Sequence, residues 1–343
     1  MKHDSRKPCV CGGPIEEAPL SKKLIALLLA LMLAVGIIGG CAAPVAEQKP
    51  AEKPAATSMT TEEMAAVADA RAQIFIGVAD LAKDPTKYVI LDTRDAKAYA
   101  AGHIEGAISA PWQTFSTVTV GKPGDPNWGT LLPPADIAAA LGKLGVDTSK
   151  TVVTYADPTG WGEDGRVKWT MESIGLDNVK MLDGGYPAWT AAGNKTSTAA
   201  TTLPPTTVAV VSDNLANINV TTDQVKKATE DSSAILVDTR SKKEYDGAID
   251  YGEKRGGHIP GAINIPFSEN FNEDGTVKSD EALMALYMDA GIPMDATAYS
   301  YCTKGIRSAY VQQILTMLQF KVTKYYDASF YSWAGDSALP VDK

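Results

Sequence analysis

Tyr88-Val-Ile-Leu-Asp92-Thr93-Arg94 and Ala234-Ile-Leu-Val-Asp238-Thr239-Arg240 are one phrase written twice in the chain, 146 residues apart. Each is a short apolar run that stops abruptly at an aspartate. Runs of this length, bounded by turn residues, are too short for helices and read as buried parallel strands. Other matches follow in the same order. Gly102-His103-Ile104-Glu105-Gly106-Ala107-Ile108 answers Gly257-His258-Ile259-Pro260-Gly261-Ala262-Ile263, with nine extra residues ahead of the second copy. Thr151 to Tyr155 answers Thr297 to Tyr301, and Lys180-Met-Leu-Asp183 before Trp189 answers Lys324-Tyr-Tyr-Asp327 before Trp333. The chain body is therefore one domain repeated, and the period is far too long for a solenoid.

Helical signals alternate with the strands. Thr60-Thr-Glu-Glu63 has the spacing of a capping box ahead of an Ala-rich stretch. From Ser308 to Leu318, apolar residues at 311, 314, 315 and 318 lie on one helical face. This alternation predicts an α/β fold, each copy a mostly parallel sheet flanked by helices. In such sheets a ligand crevice lies at the carboxyl ends of the strands, where both Asp-Thr-Arg phrases, Tyr155 and Tyr301 sit. The expected division is 59–196 for the first copy, a Thr/Ala/Pro-rich extended linker at 197–213 around Pro204-Pro205, and 214–343 for the second.

The 343 residues carry 32 Lys+Arg against 41 Asp+Glu, and this acidic balance argues against nucleic-acid partners. Four cysteines and three histidines leave little for a structural zinc site or a disulfide framework. Lys22-Lys23 precede an uncharged apolar run from Leu24 to Ile38, too short for a spanning helix but suited to a signal-peptide core. The run ends in Gly39-Gly40-Cys41, which resembles the lipobox of bacterial lipoproteins. It predicts a signal peptide at 1–40, lipidation of Cys41 and a flexible tether at 41–58. The expected location is the cell envelope: lipid-anchored on the outer face of the cytoplasmic membrane, or periplasmic. Residues 1–40 are net +2, so the remainder is −11 and should be repelled by anionic headgroups, meeting the membrane through its anchor alone. Cys9 and Cys11 leave with the signal, so Cys302 is the single thiol that remains.

Cys302-Thr303-Lys304-Gly305-Ile306-Arg307 follows a strand and precedes a helix. Such a loop can turn its backbone N–H groups inward around an anion, and the helix N-terminus adds positive partial charge. A thiol at its first position should ionise readily, helped by Lys304 and Arg307. Arg255, in the stretch special to the second copy, is a candidate clamp over the substrate. Asp238 and Arg240 read as supporting residues: a strand-end carboxylate on loop N–H groups and an ion-paired arginine. His103 and His258 occur in both copies, including the one without a cysteine, and so read as packing residues.

The repeat, Asp-Thr-Arg, Gly-His-Ile-Pro-Gly-Ala and the Cys-x-x-Gly-x-Arg loop together resemble the tandem-domain rhodanese (thiosulfate sulfurtransferase) family. The resemblance implies an inactive first domain and a catalytic second one. Ala156 stands opposite Cys302, an acidic stretch from Asp157 to Arg166 follows it, and Ala98 stands opposite Glu244. It also implies sulfur transfer through a Cys302 persulfide, with no metal or organic cofactor. The donor is a small anionic sulfur compound, and the acceptor is a thiol, cyanide or a protein. Substrate contacts fall to Thr303, Lys304, Gly305, Ile306, Arg307 and Arg255. Six residues from Cys302 to Arg307 resemble the sulfurtransferases; a loop one residue longer would resemble the phosphatases and arsenate reductases of the same fold. Lys304 resembles the loop of thiosulfate users, against the uncharged loop of 3-mercaptopyruvate sulfurtransferases. The alternatives are mercaptopyruvate as donor, or a non-catalytic persulfide carrier.

Overall fold

The computed structural model describes residues 60–343. The signal segment, Cys41 and the whole tether lie outside the described residues. Within them the two copies form two parallel sheets. The first has the order Phe75–Ile76, Val179–Leu182, Thr151–Tyr155, Tyr88–Asp92, Ile108–Ser109, and every neighbouring pair runs parallel. The second has the order Val322–Tyr325, Thr297–Tyr301, Ile235–Asp238, Ile263–Asn264, again all parallel. Central strands are buried on both faces, which is why they read as unbroken apolar runs. A two-stranded antiparallel pair joins His103–Ile104 to Thr196–Ser197. Ser197, expected at the start of the linker, thus still pairs with the first copy.

The repeated phrases do the same work twice. In the first copy Arg94 grips Asp92 through Nε and Nη2 and donates onward to the Gly102 carbonyl. Arg240 does so with Asp238 and the Gly257 carbonyl. Asp92 lies beside Tyr155 and Asp238 beside Tyr301 in register, and each tyrosine hydroxyl accepts from the amide that follows the histidine, Ile104 or Ile259. His103 stacks on Tyr99 and His258 on Tyr245, each with Nδ1 at that tyrosine's carbonyl. These groups tie strand ends to turns, in a copy with a thiol and a copy without one.

The halves are closely joined. Helix Glu163–Ser173 of the first packs on helix Ile306–Met317 of the second. The crossing is so close that a Cβ on Gly165 would lie 2.6 Å from the Tyr310 Cα. The apolar face of 311, 314, 315 and 318 is buried as expected, but this crossing buries the opposite side of the helix as well, Gln312 and Gln313 included. The capping box forms at Thr60 and Glu63 and starts helix Thr61–Ile74. Val67, Ile74 and Phe75 then pack into the second copy's core, among Leu283, Tyr287 and Ile314. Arg71 secures the helix there through Asp280 and the Lys278 carbonyl. The linker is extended but not free: Thr206 bonds to Gly142 and Val146, and Val211 and Ser212 donate to the Ile174 carbonyl.

Candidate active site

Cys302 leaves the end of strand Thr297–Tyr301, and Gly305 caps helix Ile306–Met317 in the left-handed region at φ 84°. Only glycine serves there, because a Cβ would come within 2.0 Å of the Tyr325 hydroxyl. The turn aims the Gly305 N–H at the sulfur, with N to Sγ 3.0 Å. The C-terminal segment fixes the loop from the other side. The Cys302 N–H donates to Ser329 Oγ, and the carbonyls of Cys302 and Thr303 accept from Phe330 and Tyr331. Cys302 is 2% exposed, and that burial pushes its thiol up. The Arg307 charge, the amide and hydroxyl of Ser308 and the Lys304 amide outweigh it, so the net position is below the ordinary 9.0. A buried thiol at a helix N-terminus is thus biased toward thiolate.

Arg307 is held by Glu244, a residue that sequence reasoning did not place in the site. Both terminal nitrogens of Arg307 bind the Glu244 carboxylate, at 2.8 and 2.7 Å, and Thr303 Oγ1 bridges the pair. Burial resists ionisation of Glu244, but Arg307 and the Thr303 and Ser241 hydroxyls bring it down to about 2. Two signals stood in the sequence: the Ser241-x-x-Glu244 capping spacing, and Ala98 at the matching place in the first copy. Arg307 Nε is buried and has no hydrogen-bond partner in the protein. Trp161 of the first copy lies over the Arg307 guanidinium at 4.9 Å and meets Tyr251 edge-on.

Three of the expected substrate contacts are placed differently. Lys304 is 5% exposed, with Nζ 3.5 Å from the Asp327 carbonyl and its stem against Gly129 of the first copy. It is a buried cation at the domain boundary and not a solvent-facing clamp, and burial pulls it down to about 8. Arg255 is no clamp either. It donates to the carbonyls of Trp333, Ala334, Asp336 and Leu339, fastening the C-terminal turn with four of its five N–H groups. The backbone carbonyls that claim it were invisible in the sequence. Ile306 turns into the apolar core of the first copy, beside Trp112 and Val167.

The matching loop of the first copy starts at Ala156 and ends at another left-handed glycine, Gly162 at φ 74°, which caps helix Glu163–Ser173. It is three residues longer. Counted from the capping glycine, Asp164 occupies the place of Arg307. Burial and the Glu163 charge push Asp164 up to about 7, and burial raises Asp157 and Glu163 too. Carboxyl groups are pushed up in this loop, whereas the thiol of the other is drawn down.

The rhodanese-like domain family matches residues 78–192 and 221–336, one stretch for each copy. The chain belongs to the rhodanese family. A Mycolicibacterium smegmatis protein named for thiosulfate sulfurtransferase activity is 33% identical over 266 residues, covering 75% of this chain and 91% of its own. The sulfur carrier protein TtuD of Thermus thermophilus is 31% identical over 272 residues, 76% of this chain and 92% of TtuD. Among solved structures, the SseA 3-mercaptopyruvate sulfotransferase of Escherichia coli has a TM-score of 0.65 at 27% identity, covering 74% of this chain and 97% of SseA. The anaerobic ergothioneine biosynthesis enzyme of Chlorobium limicola shares the fold, with a TM-score of 0.67 at 22% identity over 80% of this chain and 71% of its own. In rhodanese terms, the second domain carries the thiol loop and the first a loop without a thiol.

Proposed function

We propose that this rhodanese is a sulfurtransferase that takes sulfane sulfur from thiosulfate and passes it to a thiophilic acceptor through Cys302. The observation that carries the reading is the Gly305 N–H on Cys302 Sγ at the head of a buried helix, flanked by Arg307 and Lys304. The thiolate attacks the outer sulfur of thiosulfate. A new S–S bond forms as the old one breaks, and its electron pair leaves with sulfite. The Cys302–S–S⁻ product keeps one negative charge in the same ring of amides and cations. An acceptor such as cyanide then attacks the terminal sulfur, leaving as thiocyanate and returning the thiolate. Arg307 Nε is a buried donor without a partner in the protein, and it suits an anion.

The test is a donor panel on the protein without its first 58 residues. Thiosulfate should add one sulfur, about 32 Da, at Cys302, and thiosulfate with cyanide should turn over. Cys302→Ser should lose both, because a hydroxyl is a far poorer sulfur nucleophile than a thiolate. Turnover surviving in Cys302→Ser overturns the reading. One loading without turnover indicates a carrier, and preference for mercaptopyruvate reassigns the donor.

We further propose that Cys41 carries a lipid anchor that holds the two domains in the cell envelope. The Leu24–Ile38 run and Gly39-Gly40-Cys41 support it. Cys41→Ser should release the protein from the membrane fraction; unchanged fractionation and migration would refute it.

A further inference from the structure

Arg166 sits in the first domain yet spends its guanidinium on the second. Nη1 donates to Asp327 Oδ1 at 2.7 Å and to the Tyr325 hydroxyl, and Nη2 donates to the Gly129 carbonyl. Arg166 is fully buried. Asp327 lies in the segment that clamps the thiol loop, and its carbonyl receives Lys304 Nζ. Its second carboxylate oxygen accepts from the Leu131 amide, again from the first domain.

The charges around Cys302 can be counted. Lys304 and Arg307 come from its own loop and helix, and Glu244 comes from helix Lys242–Tyr245. Asp327 comes from the segment after strand Val322–Tyr325, and Arg166 from the first domain. Asp238 and Arg240 cancel as a pair. Burial keeps Tyr325 and Tyr331 protonated. Lys304, Arg307 and Arg166 stand against Glu244, Asp327 and the buried Glu253 near Tyr331, so the set is balanced before the sulfur ionises. Without Arg166 one positive charge is lost, and Lys304 becomes the counter-ion of Asp327.

We propose that Arg166 is a positioning residue for the thiol loop: by holding Asp327 it leaves the Lys304 charge to the Cys302 thiolate and persulfide, so the thiol-free domain supplies part of the active-site electrostatics. The inference rests on Cys302 as the sulfur carrier. In the interior such a charge moves a neighbouring group by about one pH unit or more.

The experiment follows the pH midpoint of Cys302 alkylation in the protein without its first 58 residues, with thermal melts as the check on folding. Arg166→Met should raise the midpoint by about one unit and cut kcat/KM at pH 7 roughly tenfold. Asp327→Asn should lower the midpoint, because two cations then lack their anion. Arg166→Met with Asp327→Asn should return it close to wild type. A merely structural contact would lower both melting points but would not move the midpoints in opposite directions. An unchanged midpoint in folded Arg166→Met, or shifts of one sign in both single variants, overturns the proposal. If Arg166→Met does not fold, the direction of the Asp327→Asn shift decides. Opposite shifts in a protein that takes no sulfur from thiosulfate would refute the function and keep Arg166 in its role.

Discussion

Loops 156–164 and 302–307 leave the same place in two sheets of like topology, after the same strand-end tyrosine and into the same kind of glycine-capped helix. One carries Asp164, whose carboxyl burial pushes up to about 7; the other ends on Arg307, around a thiol biased toward ionisation. The strand-end pairs Asp92–Arg94 and Asp238–Arg240 are alike in both copies. The scaffold is thus indifferent to the chemistry, and the difference resides in a thiol, a loop length and the sign of one charge. The first copy lacks more than a cysteine: its loop is lined with acids where the second is lined with cations.

The sharpest way to break this contrast is Glu244. Glu244→Gln leaves Arg307 buried without its ion partner, which should cost about 3 kcal/mol and lower Tm by roughly 6–10 °C. With Arg307 no longer held over Thr303, kcat/KM for thiosulfate should fall roughly a hundredfold. A variant with wild-type kinetics would show that the Arg307 position is irrelevant to the second loop's chemistry.

Lys304 gives a smaller effect of mixed sign. Its position near 8 lies below the ordinary 10.5, so between those values the folded protein binds fewer protons than the unfolded chain. Stability then rises with pH across that window, and below pH 8 the buried charge costs about 3 kcal/mol. Lys304→Met should melt higher at pH 7, lose the rise in stability between pH 8 and 10, and lose about tenfold in kcat/KM. Wild-type activity should climb as Cys302 ionises and decline above pH 8 as Lys304 gives up its proton. A lower melting point for Lys304→Met would mean that the thiol loop is not bought at the expense of stability.

The least effect is expected from Ala156→Cys. The new thiol would lie among Asp157, Glu163 and Asp164, where burial and like charge disfavour the thiolate. Mass spectrometry after thiosulfate treatment should find sulfur on Cys302 alone, with turnover unchanged. A second adduct would erase the distinction between the loops.

Much of this was legible in the sequence because it is local. Strand ends, the capping box at Thr60 and the Cys302–Arg307 loop depend on neighbours a few residues away. Gly305 could be read as a turn residue, though not the tyrosine hydroxyl that makes it obligatory. What escaped depends on partners far along the chain. Lys304 looked like a clamp until Asp327 and Gly129 closed around it. Arg255 sat in a stretch special to the second copy, which drew attention to substrate, while four carbonyls beyond residue 332 claimed it. Arg166 reads only as the end of an acidic stretch, because its partner lies 161 residues ahead. Long charged side chains are the residues whose destination composition cannot show.

Helix Thr61–Ile74 and Phe75 complete the core of the second domain. They leave the ribosome about 250 residues before strand Val322–Tyr325, which at ordinary rates of synthesis is roughly 10–50 s. For that time an apolar helix face has no sheet to cover, and the first domain alone can shelter it. Severing the chain at Pro204-Pro205 would therefore not yield two independent domains; it would part the second from a wall that was made first.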